Sequence, residues 1–328
     1  MKTTFILAAA AISATQAFDI DIEHEQELVR VKRQAAEEPF ECTFTDQSGV
    51  TVIWSDYNTP EECDAVKREE FEQECLVECE EEDSPYTCSD DDIERCVNAQ
   101  FMAGRSASKR KLGVRYTRWK AVTRMIAHIV AKPNLKKKEV VKKILNYGCH
   151  CFPGSKRNRS VGGKGPAMDT IDGICRSQYQ CHKCVEMEYG CSPDLNPYTV
   201  QFKGRKNALQ KEVICRDDEG TCSRSICECD RNMAENLEDV WFQANIHNGF
   251  YWKDRRNAKK NPTFDYEGTC LASGLSAVPD SCCGVFPDVV PYNQASKGCC
   301  VSSEGPKLFD SMTSECCSSG EIANIGSC

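Results

Sequence analysis

The side chains best equipped for chemistry lie in one stretch. Tyr147-Gly148-Cys149-His150-Cys151 is followed by Asp169-Thr170-Ile171-Asp172-Gly173-Ile174-Cys175-Arg176-Ser177-Gln178-Tyr179-Gln180-Cys181-His182. A histidine titrates near neutral pH, so it can move protons or ligate a metal, and carboxylates hold hard cations such as calcium. Cys181-His182-Lys183-Cys184 has soft donors at a metal-ligand spacing, but in a chain with 24 cysteines its sulfurs read as disulfide partners. Gln178 lies one helical turn before His182, on the same face, and its carboxamide has no pKa suited to proton abstraction. Tyr179 carries a phenol, which brings no formal negative charge near neutral pH. Farther upstream, Asp83 to Glu94 is rich in carboxylates but lacks the central Gly and ligand spacing of an EF-hand, which implies only weak, nonspecific cation binding.

A second cysteine series, Cys215, Cys222, Cys227 and Cys229 followed by Asp230-Arg231-Asn232, completes the frame. From about Leu112 to about Leu237 the chain resembles the secreted phospholipases A2. Their block runs Tyr-Gly-Cys-x-Cys, then Asp-x-x-Asp-x-Cys-Cys-x-x-His-Asp-x-Cys. The resemblance implies a His general base, a calcium-binding Asp and an Asp that orients the base. Setting Cys175 and Cys181 on the family's cysteines places Gln178 at the base and Tyr179 at the calcium ligand, and Asp230 matches the orienting Asp. His150 and Phe152 stand where Tyr and Gly are expected in the glycine-rich calcium loop, while Gly154 fits. A noncatalytic phospholipase A2-like protein without cofactor is therefore expected. The alternative is hydrolysis of the sn-2 ester of glycerophospholipids by an altered mechanism, with calcium and with His182 and Asp230 as a displaced dyad. Against that dyad stands a structural histidine that replaces the family's Tyr–Asp hydrogen bond.

The resemblance also implies the bridges Cys151–Cys175, Cys181–Cys229, Cys191–Cys222 and Cys215–Cys227. Cys149 and Cys184 remain, and either they pair together or Cys149 reaches Cys270. The family's tandem Cys-Cys is Ile174-Cys175 here, and the partner of the lost cysteine is Asn236. Both halves of one bridge are missing together, as expected where an orphan thiol is a liability.

The elements that must position these residues read as mainly α and disulfide-rich: a phospholipase A2-like helical domain flanked by small cysteine-rich modules. Residues 1–17 read as a signal peptide, with an apolar run too short to span a bilayer. Residues 18–33 read as a propeptide ending in Arg30-Val31-Lys32-Arg33, a furin-type site cut after Arg33. An acidic cysteine-rich module (34–100), a basic linker (101–111), the phospholipase A2-like domain (112–237), a connector (238–269) and a repeat tail (270–328) follow. The cysteines fall in groups of six, ten and eight, and this parity predicts three separately closed modules. A helix is expected around Asp64–Glu80, with Cys75 and Cys79 on one face. Another is expected over Leu112–Ala131, with Tyr116, Trp119, Val122, Ile126 and Ile129 on an apolar stripe and Arg115, Arg118 and Arg124 elsewhere. In the tail, Cys282-Cys283, Cys299-Cys300 and Cys316-Cys317 repeat every 17 residues. This spacing resembles the double-cysteine repeats of galaxins, which implies β-hairpin-like units in an extracellular matrix.

Charge divides the chain sharply. Residues 34–100 carry 21 acidic and 3 basic side chains, while residues 101–170 carry 18 basic and 2 acidic. The split predicts either mutual docking or two different partners. Lys156, Arg157, Arg159 and Lys164 form a basic surface in an insert that also contains the sequon at Asn158. The expected partners are an anionic lipid, glycan or matrix surface, not nucleic acid, and the expected location is extracellular, with no transmembrane segment. Lys109-Arg110-Lys111 is a second candidate processing site.

Overall fold

The structure is a computed structural model. It describes residues 40–46, 49–79, 89–105, 118–130, 140, 143–144, 147–151, 163, 165–205, 208, 210–242, 264–270 and 278–328. Arg33, the leader, Lys109–Lys111, Asn158 and the basic residues Lys156, Arg157, Arg159 and Lys164 lie outside the described residues.

The acidic module opens with strands β1 (Cys42–Thr45) and β2 (Thr51–Trp54), then helices α1 (Pro60–Cys79) and α2 (Asp90–Arg105). The β1–β2 hairpin turns at Gly49, where φ is +86°. Asp46 holds the turn by accepting a hydrogen bond from the Val50 amide at 3.1 Å. Cys42–Cys63 ties the hairpin to α1, and Cys75–Cys96 ties α1 to α2. With so little core of its own, a small unit of this kind needs such cross-links.

The helical domain is built from α3 (Arg118–Val130), α4 (Thr170–Tyr189), β3 (Thr199–Lys203), β4 (Glu212–Cys215) and α5 (Cys222–Trp241). Helix α4 starts where the Asp169 carboxylate accepts a hydrogen bond from the Asp172 amide at 2.9 Å. It stops at Gly190, which adopts the left-handed conformation with φ +62°. Ile171, Cys175, Gln178, His182 and Val185 recur at three- and four-residue steps and are buried. On α5, capped by Thr221, the matching inward face includes Ile226, Asp230, Met233 and Leu237. The helix continues to Trp241, beyond the domain end drawn at Leu237. Val122, Ile126 and Ile129 of α3 are buried as the apolar stripe requires, and Met125 joins them.

The mainly helical expectation holds for this domain and needs correcting for the chain. Ten strands are described, and four form one sheet in the order β1-β2-β3-β4. Strand β2 lies parallel to β3, pairing Thr51 with Thr199 and Trp54 with Phe202. The acidic module therefore extends the sheet of the helical domain. The strands are four or five residues long. Their pairing spans distant parts of the chain, so no local periodicity signals it.

After α6 (Tyr266–Cys270), the tail forms three antiparallel hairpins: β5 (Ser281–Val285) with β6 (Asp288–Tyr292), β7 (Gly298–Ser302) with β8 (Gly305–Phe309), and β9 (Ser314–Cys316) with β10 (Ile322–Asn324). The second cysteine of each doublet pairs onward: Cys283–Cys299, Cys300–Cys316 and Cys317–Cys328. Among the described hydrophobic residues after Cys270 only Cys283, Val289 and Cys300 are buried, so disulfides replace most of the core.

Cysteine parity misleads about closure. Cys149 pairs with Cys270 and Cys184 with Cys282, so two bridges leave the helical domain for the segment that follows it. Of the two alternatives for Cys149, the bridge to Cys270 is the one formed, and Cys184 pairs with Cys282. Connectivity of this kind is not encoded in counts or spacings.

Candidate functional site

Helices α4 and α5 lie side by side and are joined by Cys181–Cys229, which brings Gln178, His182 and Asp230 together. Asp230 is fully buried. Its Oδ1 accepts hydrogen bonds from Gln178 Nε2 at 2.6 Å and meets His182 Nε2 at 2.8 Å, while Oδ2 accepts from the Tyr198 hydroxyl at 2.8 Å. A buried carboxylate must be compensated by donors, and three side chains, two from α4 and one from the residue before β3, meet it here. Gln178 is 3% exposed and His182 7% exposed. With its amide group donating to Asp230, Gln178 keeps Oε1 buried and without a hydrogen-bond partner. A carboxamide in this place accepts and donates hydrogen bonds but does not exchange protons near neutral pH.

Tyr198 was not among the residues singled out from the sequence. It sits one position before β3, and no local motif marks it; only the sheet brings it to Asp230. Tyr179 is half-buried against the core, with Lys183 Nζ 5.9 Å from its ring centre.

A second buried carboxylate organises the turn before α4. Asp172 accepts hydrogen bonds from the amides of Cys149 at 2.9 Å, His150 at 2.7 Å and Met168 at 2.9 Å. Gly148 is required beside it: φ is +58°, and a Cβ there would lie 2.2 Å from the Asp172 carboxyl carbon. Asp169 caps α4 and accepts from the Tyr147 hydroxyl. His150 is buried, with Nε2 3.0 Å from the Gly165 carbonyl and Nδ1 unpartnered. Burial holds its pKa below the ordinary histidine value, opposed in part by the charge of Asp172.

The donor set fits calcium poorly. Both carboxylates of this turn are already engaged by amides or a hydroxyl. Hard divalent cations take several oxygens, carboxylates foremost. Among the described residues no three His, Cys, Asp or Glu side chains converge as a metal site. Cys181 and Cys184, the sulfurs of the Cys-His-Lys-Cys run, are both in disulfides, to Cys229 and Cys282.

The remaining bridges of the domain are Cys151–Cys175, Cys191–Cys222 and Cys215–Cys227. Ile174 packs partly buried on the core, and the Asn236 side chain donates to Asn232 Oδ1 at 3.1 Å. No described cysteine is free.

Comparison with known proteins agrees with this architecture. The family model of phospholipase A2 matches residues 122–247. The basic phospholipase A2 beta-bungarotoxin A-AL4 chain of Bungarus multicinctus is 30% identical over 109 residues, 32% of this chain and 69% of that protein. A phospholipase A2 of Ovis aries is 30% identical over 96 residues, 29% of this chain and 70% of that protein. For the basic phospholipase A2 beta-bungarotoxin A1 chain of Bungarus caeruleus the figures are 33% over 89 residues, 27% of this chain and 51% of that protein. The similarity thus covers the paired helices and their bridges, and the acidic module and hairpin tail lie outside it. On the paired helices, their cysteine frame and these relatives, the chain belongs to the phospholipase A2 family.

Proposed function

We propose that this is a secreted, noncatalytic member of the family that binds anionic extracellular surfaces, whether lipid headgroups, glycans or matrix. The observation that carries the reading is the amide of Gln178 donating to buried Asp230 at 2.6 Å. The orienting carboxylate is retained, but the side chain it orients on this turn of α4 is no base. Loss of a general base alone typically costs about 10²- to 10⁴-fold in rate, and loss of a Lewis acid adds to it within one coupled unit. The basic residues Lys156, Arg157, Arg159 and Lys164 supply the charge for the anionic surface, and a glycan at Asn158 would obstruct close docking of a lipid ester. The disulfide-linked hairpins of the tail, which resemble galaxin repeats in their spacing, suit anchorage in a matrix. The signal-peptide reading of residues 1–17 and the abundance of disulfides support secretion.

Mixed phospholipid vesicles test both halves of the reading. No fatty-acid release is expected with or without millimolar calcium, and co-sedimentation is expected to fall steeply with salt. Binding that is unchanged between low and high salt would remove the basic-surface reading. The second reading, a displaced dyad, is favoured by one observation: His182 Nε2 lies 2.8 Å from Asp230 Oδ1. It requires calcium-dependent turnover that disappears in His182→Ala.

A further inference from the structure

The cysteines from α4 to Cys328 form one unbranched covalent line. Cys184 of α4 bonds to Cys282, Cys283 to Cys299, Cys300 to Cys316 and Cys317 to Cys328. Between one bridge and the next stands a single peptide bond, within the doublets Cys282-Cys283, Cys299-Cys300 and Cys316-Cys317. In each doublet the first cysteine bonds towards α4 and the second away from it. The first two doublets lie in strands β5 and β7, where neighbouring side chains point to opposite faces. A doublet in a strand can therefore receive a bridge on one face and send the next from the other. A lone cysteine would end the line.

The line bypasses most of the tail. Residues 284–298 and 301–315 hang from it as side loops, each closed by a bridge of sequence separation 16. These loops hold strands β6 and β8 and the turns around them. A pull at Cys328 thus reaches Cys184 through four disulfides and three peptide bonds, a span of roughly 3 nm. Without the bridges, the backbone from Cys282 to Cys328 would extend to about 15 nm. The hairpins could not supply that resistance. They bury almost no apolar side chains, and an isolated two-stranded hairpin is marginal in water. At its inner end the line is well founded, because Cys184 is fully buried in the main core.

We propose that the tail is a load-bearing tether: the disulfide line carries tension to α4, and the side loops can be nicked or distorted without parting it. Loop tips are where proteases cut first, so this layout suits an exposed extracellular tail. The use of such a tether rests on the reading of the tail as a matrix anchor. Its test involves no matrix, so a failure of anchorage and a failure of the tether are distinguishable.

Single molecules of the full chain, without reductant, are stretched between a ligation tag in the exposed turn at Asp194 and a second tag after Cys328. The parent is compared with Cys300→Ser/Cys316→Ser, whose other tail bridges are verified by mass spectrometry. Removing that bridge puts residues 300–316 into the load path, so the variant is expected to be longer by about 5 nm at full stretch. Equal lengths for parent and variant would overturn the proposal. A second measurement needs no cysteine variant. A site-specific protease sequence is inserted between Ser302 and Gly305, at the turn from β7 to β8, and cut. In denaturant without reductant, the part after the cut is expected to stay joined to the rest, and to separate when reductant is added. Separation without reductant would overturn the proposal.

Discussion

The acidic module and the hairpin tail both pack on the helical domain, but they are fastened by different means. The tail is anchored by Cys184–Cys282, with Val289 entering the main core and Phe286 meeting Tyr189 at 5.9 Å. The acidic module lends two strands to the shared sheet, Val50, Val52, Trp54, Cys63 and Val66 to the same core, and two carboxylates to Arg124. A covalent tie limits how far the chain can open even when local packing fails, whereas strand addition and ion pairs yield to salt, competition or cleavage. Among the described residues, then, the tail is tied to the helical domain covalently, and the acidic module by core packing, strand pairing and charge.

Arg124→Ala is expected to have the largest effect, because it strands two buried carboxylates without their guanidinium. Denaturant unfolding should show a loss of about 3–5 kcal/mol, and an effect near zero would show that this ion pairing adds nothing to docking. Replacing Cys184 and Cys282 together by serine removes the bridge at the first hairpin and leaves Cys149–Cys270 in place. The expected cost is about 2–4 kcal/mol, with hairpin disulfides intact by mass spectrometry. If this double variant is as stable as the parent, the contrast between the two fastenings is weaker than their chemistry implies.

Acid should act on the covalent side, near Cys149–Cys270. Burial lowers the pKa of His150 from 6.5, so the unfolded chain takes up the proton first. Its contribution to stability is present above about pH 6.5 and is lost as pH falls through that value toward the lower folded one. His150→Gln is expected to flatten this part of the stability profile, as measured by melting temperature between neutral and mildly acidic pH. The smallest effect is expected at the rim of the acidic module, where Arg205 pairs with Glu62 at 3.1 Å on the exposed surface. Arg205→Ala should cost less than about 1 kcal/mol, and less still at high salt.

What could be read in advance divides along physical lines. The helices were legible because their apolar and cysteine positions recur at helical spacing: the expected span Asp64–Glu80 overlaps α1, Pro60–Cys79, and Val122, Ile126 and Ile129 are buried as their stripe requires. The juxtaposition of Gln178, His182 and Asp230 was legible because the cysteine frame sets the register of α4 against α5. The parallel pairing of β2 with β3 was not legible, since short strands 148 residues apart, such as Thr51 and Thr199, carry no shared local signal. Arg124 was set off the apolar stripe of its helix, and its burial was not legible because it depends on Asp46, Glu70 and Phe44 of the acidic module packing there. Cys184 has no counterpart among the cysteines that carry the resemblance, so its link to Cys282 waited for coordinates. Tyr198 went unnoticed for the same reason as β2: its role depends on tertiary placement alone.

The central claim is that the hydrogen-bonded group around Asp230 holds structure and does no proton chemistry. Phospholipid hydrolysis by the parent protein and by His182→Ala, at matched concentrations with calcium present, tests it most directly. Release of fatty acid indistinguishable from the uncatalysed background in both is the expected result. Turnover by the parent that vanishes in His182→Ala would contradict it.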